Sequence, residues 1–127
     1  MAGASRDPKS LGREAENLAA AHLAGRGIKV VTRNYRALRG EVDIIGKDGD
    51  TWVFVEVKAR SSRRYGGAAF AVPQAKQAQI SKVASHYLLT NGLIGKAGCR
   101  FDVVLVDAAT TPYGITHVPN AFRVEVG

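Results

Sequence analysis

The chain has 127 residues, 46% of them hydrophobic and 23% charged, which suits one domain with its own core and argues against disorder. No apolar run approaches the ~20 residues needed to span a bilayer. The opening MAGASRDPKS has no apolar signal segment, and the single Cys99 excludes an internal disulfide and a cysteine-built zinc site.

These features predict a reduced, cytoplasmic, soluble domain over residues 1–127. Net charge is +7 and unevenly spread: residues 1–40 carry +5, 41–60 carry −2, 61–100 carry +6 without a single acid, and 101–127 carry −2. A short acidic stretch thus lies between two basic ones. Such an excess suits a polyanionic partner, because Lys and Arg neutralise phosphates. The alternative is a basic surface that only keeps the chain in solution.

In chain order, Asp7-Pro8 or Ser10 opens a helix. Leu11, Ala15, Leu18, Ala19 and His22 share a face of it, and Gly25 and Gly27 end it. Ile28–Tyr35 is short and β-branched, a strand. Arg36–Gly40 is a basic connection, Glu41–Ile45 a second strand, and Lys47-Asp48-Gly49-Asp50 a turn. Thr51–Lys58 is a third strand, and residues 59–71 read as a loop. A second helix begins near Pro73, with Ile80, Val83, Ala84, Tyr87 and Leu88 as its apolar stripe and Asn91-Gly92 as its stop. Arg100–Asp107 is a fourth strand, and Ile115–Val118 a short edge strand. The expected class is α/β, a central mixed sheet of four to five strands flanked by helices.

The stretch that carries chemistry is GEVDII…FVEVKAR, residues 40–60. If Asp48 and Gly49 form the hairpin loop, Lys47 pairs with Asp50 and Asp43 stands opposite Phe54. Asp43, Phe54, Glu56 and Lys58 then share one face, with Asp43 and Glu56 as diagonal neighbours roughly 7–8 Å apart. Val42, Ile44, Val53, Val55 and Val57 form the opposite, apolar face. Two carboxylates at that spacing can close on a hard cation such as Mg²⁺. An adjacent lysine can hold water or offset charge on a phosphate. The competing reading is a solvated cross-strand charge patch.

Asp43 followed by Glu56-Val57-Lys58 resembles the PD-(D/E)xK signature of restriction-endonuclease-like nucleases, with Val42 where the strict motif has Pro. A longer series resembles the small bacterial YraN-like family, itself similar in layout to archaeal Holliday-junction resolvases. The series comprises Ala15-Glu16 with Leu18-Ala19, Arg33-Asn34-Tyr35-Arg36, Gly40-Glu41-Val42-Asp43, Phe54 to Arg60, Lys76, and Arg100 to Val104. The resemblance implies a restriction-endonuclease-like core. It implies Asp43 and Glu56 as ligands of Mg²⁺ or Mn²⁺ with the Val57 carbonyl as a further ligand, Lys58 as the catalytic lysine, and Glu16 as a helix acid brought to the site.

By its own spacing Glu16 lies at the edge of the apolar stripe, free to point along the sheet toward Asp43 or out to solvent. Lys76 falls on the inward face of its helix, where it either snorkels to water or reaches the carboxylates or a phosphate. Arg60, Arg63, Arg64 and Tyr65, on a glycine-containing loop, suit phosphate contact and base stacking; a solvated loop is the alternative. His22, His86 and His117 show no ligand spacing, Trp52 is expected to shield an exposed sheet face, and Cys99 reads as a small core residue.

The expected function is hydrolysis of DNA phosphodiesters, branched or flapped DNA included, by a metal-dependent endonuclease, with no membrane partner and a homodimer left open. Two rivals stand beside it: a nucleic-acid-binding or adaptor protein that keeps the fold without useful catalysis, and a basic surface that docks an acidic protein.

Overall fold

The computed structural model describes residues 8–61 and 71–123; the expected contacts of Arg63, Arg64 and Tyr65 lie outside these residues. The elements are α1 (Pro8–Gly25), β1 (Lys29–Ala37), β2 (Gly40–Asp48), β3 (Thr51–Arg60), α2 (Gln74–Thr90), β4 (Cys99–Asp107) and β5 (Gly114–Phe122). The five strands form one sheet in the order β1-β2-β3-β4-β5. Only the β3–β4 pair is parallel. A parallel pair needs a crossover, and the segment containing α2 supplies it. One helix covers each sheet face, so the expected mixed α/β class is what the chain adopts.

Two cores result. Beneath α1 lie Ala15, Ala19, Leu23, Ile28, Ile44, Val53, Val55, Val104 and Val106. Beneath α2 lie Val42, Ile45, Trp52, Phe54, Phe101 and Val103, with Ile80, Val83, Ala84, Tyr87 and Leu88 from the helix itself. The stripe of α2 is thus the one its spacing predicts. That of α1 differs: Ala15, Ala19 and Leu23 are the fully buried positions, and His22 is not among them. Steps of four residues drift around a 3.6-residue helix and carry the seam to Leu23. Gly27, at φ +88°, ends α1 by letting the Ile28 amide return to the Leu23 carbonyl at 3.0 Å.

Three local expectations are corrected. The β2–β3 loop is Gly49-Asp50, because Gly49 takes the positive φ (+60°) that a two-residue hairpin requires at its first position; Asp48 therefore pairs with Thr51. The register moves by two, which preserves faces. Trp52 does not shield an exposed face but packs edge-on against Tyr87 within the α2-side core. Val42 does not share a core with Ile44: it packs on the α2 side and Ile44 on the α1 side. The reversal coincides with Asn34 of β1, which sits at φ +55° between the Arg33–Ile44 and Tyr35–Val42 pairs. A left-handed residue there rotates the hairpin about its own axis.

β5 is also longer than Ile115–Val118. It continues through Pro119, since an edge strand tolerates a residue that donates no ladder bond. Asp102 of β4, 1% exposed, fastens its far half by accepting the Asn120 amide at 3.0 Å and His117 Nε2 at 2.7 Å.

Candidate active site

The β2–β3 ladder stops at the Ile44–Val55 pair. One step further, where Asp43 would face Glu56, the strands part. Asp43 fills the gap with its side chain: Oδ2 accepts the Val57 amide at 2.7 Å, taking the place of a ladder carbonyl. The same rotation that moves Val42 to the other core therefore frees a carboxylate at the centre of the sheet.

Glu56 follows Phe54 by two residues along β3, and its charge acts on Asp43. Burial raises Asp43 to about 7; the Val57 amide opposes this, and the charges of Glu56, Glu41 and Glu16 add to it. Glu56 is also raised, again chiefly by burial, against the pull of Lys76, the Asp43 hydrogen bond and Lys58. Both carboxyls are thus pushed above their ordinary values, each resisting a second negative charge beside it.

The sequence-derived residues assemble unequally around this pair. Lys58 donates from Nζ to the Ala71 carbonyl just ahead of α2, which holds its ammonium beside Glu56. Lys76, in the first turn of α2, is half-buried, and its charge acts on Glu56. Glu16 turns to the sheet: Arg33 grips it at 2.8 Å and Asn34 donates to it at 2.9 Å, while its charge reaches Asp43. Val57 contributes its amide to Asp43 and lines the adjoining cleft. Arg60 is drawn elsewhere, into an ion pair with Asp107 at 3.2 Å that ties the ends of β3 and β4.

Spacing alone missed several members. Glu41 raises both carboxyls. A cleft of about 880 Å³ on the α1 side is lined by Asp43, Glu41 and Glu16 together with Lys9, Arg13, Arg33 and Arg36. The available signal was the Arg33-Asn34-Tyr35-Arg36 run, whose strand partner is the segment holding Glu41 and Asp43.

Among the described residues, no three His, Cys, Asp or Glu side chains form a ready metal cage. The set on offer is two carboxylates, which suits Mg²⁺ or Mn²⁺, ions that fill their remaining positions with water and phosphate oxygens, and does not suit a structural Zn²⁺.

The molecule is, in class, a mixed α/β domain with two half-buried carboxylates where β2 and β3 part, one of them, Asp43, lining a cleft of mixed charge. Residues 15–106 match the model of the uncharacterised protein family UPF0102, and the chain belongs to that family. It is 45% identical to a UPF0102 protein of Chlorobium limicola, covering 95% of this chain and 98% of the relative. It is 44% identical to one of Shewanella halifaxensis, covering 91% and 97%, and 43% identical to one of Geobacter metallireducens, covering 91% and 94%. Among the described residues no helix is long and apolar enough to cross a membrane.

Proposed function

We propose that this protein is a cytoplasmic endonuclease with a restriction-endonuclease-like core that hydrolyses DNA phosphodiesters with the help of Mg²⁺ or Mn²⁺. The observation that carries the reading is the neighbouring carboxyls of Asp43 and Glu56, both raised by burial, with Lys58 and Lys76 acting on Glu56 and Asp43 lining a cleft that also holds Lys9, Arg13, Arg33 and Arg36. A divalent ion bound by Asp43 and Glu56 would polarise a phosphate and lower the pKa of a water.

The chain's own groups do the rest. Lys9 and Arg13 hold the polyanion along the α1 side, with Arg33 and Arg36, paired to Glu16 and Glu41, adding their charge beside it. Lys58, steadied by the Ala71 carbonyl, offsets charge on the phosphate under attack. The Val57 amide fixes the orientation of Asp43, and the Arg33–Asn34 clamp keeps Glu16 from collapsing onto the pair.

The test is a Mn²⁺ and Mg²⁺ cleavage panel on single-stranded, duplex, flapped and four-way DNA, with Asp43→Ala as control. Cleavage by the wild type alone supports the reading, and the preferred substrate defines its geometry. DNA binding without cleavage on any substrate would replace it with the adaptor reading.

A further inference from the structure

On the far side of the sheet from the carboxylate cleft, α2 presents a second concavity of about 470 Å³. It is lined by Leu38, Lys82, Ser85, His86, Leu89 and Ile94. Three of its members are large apolar residues that the fold leaves in water: Leu38 is 62% exposed, Leu89 68% and Ile94 38%. Lys82, Ser85, His86 and Leu89 follow the three- and four-residue steps of one helix face, over roughly 10 Å.

Leu38 is the telling residue. It sits at φ +53°, next to Arg39 at φ +63°, in the two-residue turn between β1 and β2. Such a turn favours Asn, Asp or Gly at both positions, and a bulky side chain there costs on the order of 1 kcal/mol. No core contact recovers that cost, because the side chain is mostly in water. The turn itself is held firmly: Gln79 donates to the Arg39 carbonyl at 3.2 Å, and Gly40 sits so close to α2 that a Cβ would meet Val83 Cγ2 at 2.8 Å. A rigid, strained turn thus projects a leucine over an apolar groove.

The charges around the groove have one sign. Lys82 lines it and Arg39 adjoins it, and no acidic residue occurs between Arg60 and Asp102 in the sequence. His86 is fixed by Tyr35, whose hydroxyl meets its Nδ1 at 2.8 Å. With the phenol donating, the ring proton lies on Nε2, a further donor for a carboxylate.

We propose that this groove docks an acidic protein segment through large apolar side chains, its carboxylates meeting Lys82 and Arg39 and its apolar anchors seated among Leu38, Leu89 and Ile94. The inference is independent of catalysis, since the carboxylate couple opens on the α1 side. A groove of this length accepts about three or four extended residues.

The probe is a fluorescein-labelled nonapeptide with five aspartates followed by leucines and a phenylalanine, titrated with the full chain and read by anisotropy. Two control peptides replace either the aspartates or the apolar residues by serine. The acidic-apolar peptide alone should bind. Leu38→Asn, which suits the turn and keeps the fold, should weaken binding at least fivefold, and Leu89→Gln likewise. Lys82→Glu should weaken it about tenfold and flatten its salt dependence.

Circular-dichroism melts verify that each variant is folded. Equal binding of the control lacking apolar residues, no binding of the acidic-apolar peptide, or wild-type affinity in Leu38→Asn and Leu89→Gln together would overturn the proposal. So would sedimentation showing a dimer that Leu38→Asn dissolves, which assigns the groove to a second copy.

Discussion

The chemistry of the candidate site turns on one carboxyl. Asp43 has its usual pKa in the unfolded chain and one near 7 in the fold, raised first by burial. A raised acid favours the folded state while protonated. Its contribution is fully present below the unfolded value and is lost as pH rises toward 7, on the order of 2–4 kcal/mol in all. Melting curves in EDTA should therefore show the wild type losing stability between pH 5 and 8, and Asp43→Asn losing distinctly less. Mn²⁺ should restore the wild type at pH 8 and leave Asp43→Asn unmoved. A wild type and mutant with parallel pH profiles and no response to Mn²⁺ would remove the basis for a metal at Asp43. Glu16 is the instructive contrast: it carries the same charge nearby but is partnered by Arg33 and Asn34, so its role is to bias Asp43.

At the scale of elements, β4 and β5 show how a sequence motif divides between chemistry and architecture. In Arg100-Phe101-Asp102, Phe101 stacks between Phe54 and Phe122. Asp102 is buried and binds Arg100, His117 and the Asn120 amide. Its acid is a fastener for the edge strand, remote from the Asp43 couple in chemistry. Asp102→Asn removes a buried charge while its partners remain, and urea unfolding should show a loss of about 3 kcal/mol. Asp48→Asn, which removes the exposed partner of Arg100, should cost under about 1 kcal/mol. Equal effects would mean that burial does not govern this network. The β2–β3 hairpin carries the complementary lesson: a turn displaced by one residue moves the register by two, which by itself preserves faces, and Val42 changes sides only beyond the last ladder pair.

For the molecule as a whole, charge segregates by function. The α1 side gathers Lys9, Arg13, Arg33 and Arg36 around the acidic pair, and the α2 side is free of acids along its helix. If the cleft engages about five phosphates, the logarithm of DNA affinity should fall with the logarithm of salt at a slope of −4 to −5. Arg33→Ala with Arg36→Ala should reduce that slope by about two in filter binding. A slope unchanged by both would place the nucleic acid on another face, and a flat response in the wild type would favour a protein partner.

How much of this was legible in the sequence follows from the range of each interaction. The helices, the strands and the two apolar stripes come from periodicity, a local property, so both helices and all five strands were placed, with boundaries off by a few residues. Alternation predicts a shared face for Asp43 and Glu56, and a register change of two would keep it, but the alternation of β2 breaks between Val42 and Ile44, with Asp43 lining the α1-side cleft. Other features depend on contacts between residues far apart in the chain. The split of β2 from β3 coincides with the left-handed backbone of Asn34 on the neighbouring strand, which marks a rotation of the hairpin there. That rotation sends Val42 and Ile44 to different cores, leaves the Val57 amide for Asp43, and draws Glu41 toward the pair. Sequence alone puts Arg60 in a basic loop that suits a polyanionic partner, yet it ends β3, where Asp107, brought beside it by the parallel pairing of β3 and β4, claims it. Composition and alternation determined which residues carry charge and which way they face; the tertiary structure alone decided which charges meet, because desolvation and ion pairing act through space and depend on the packing of distant segments.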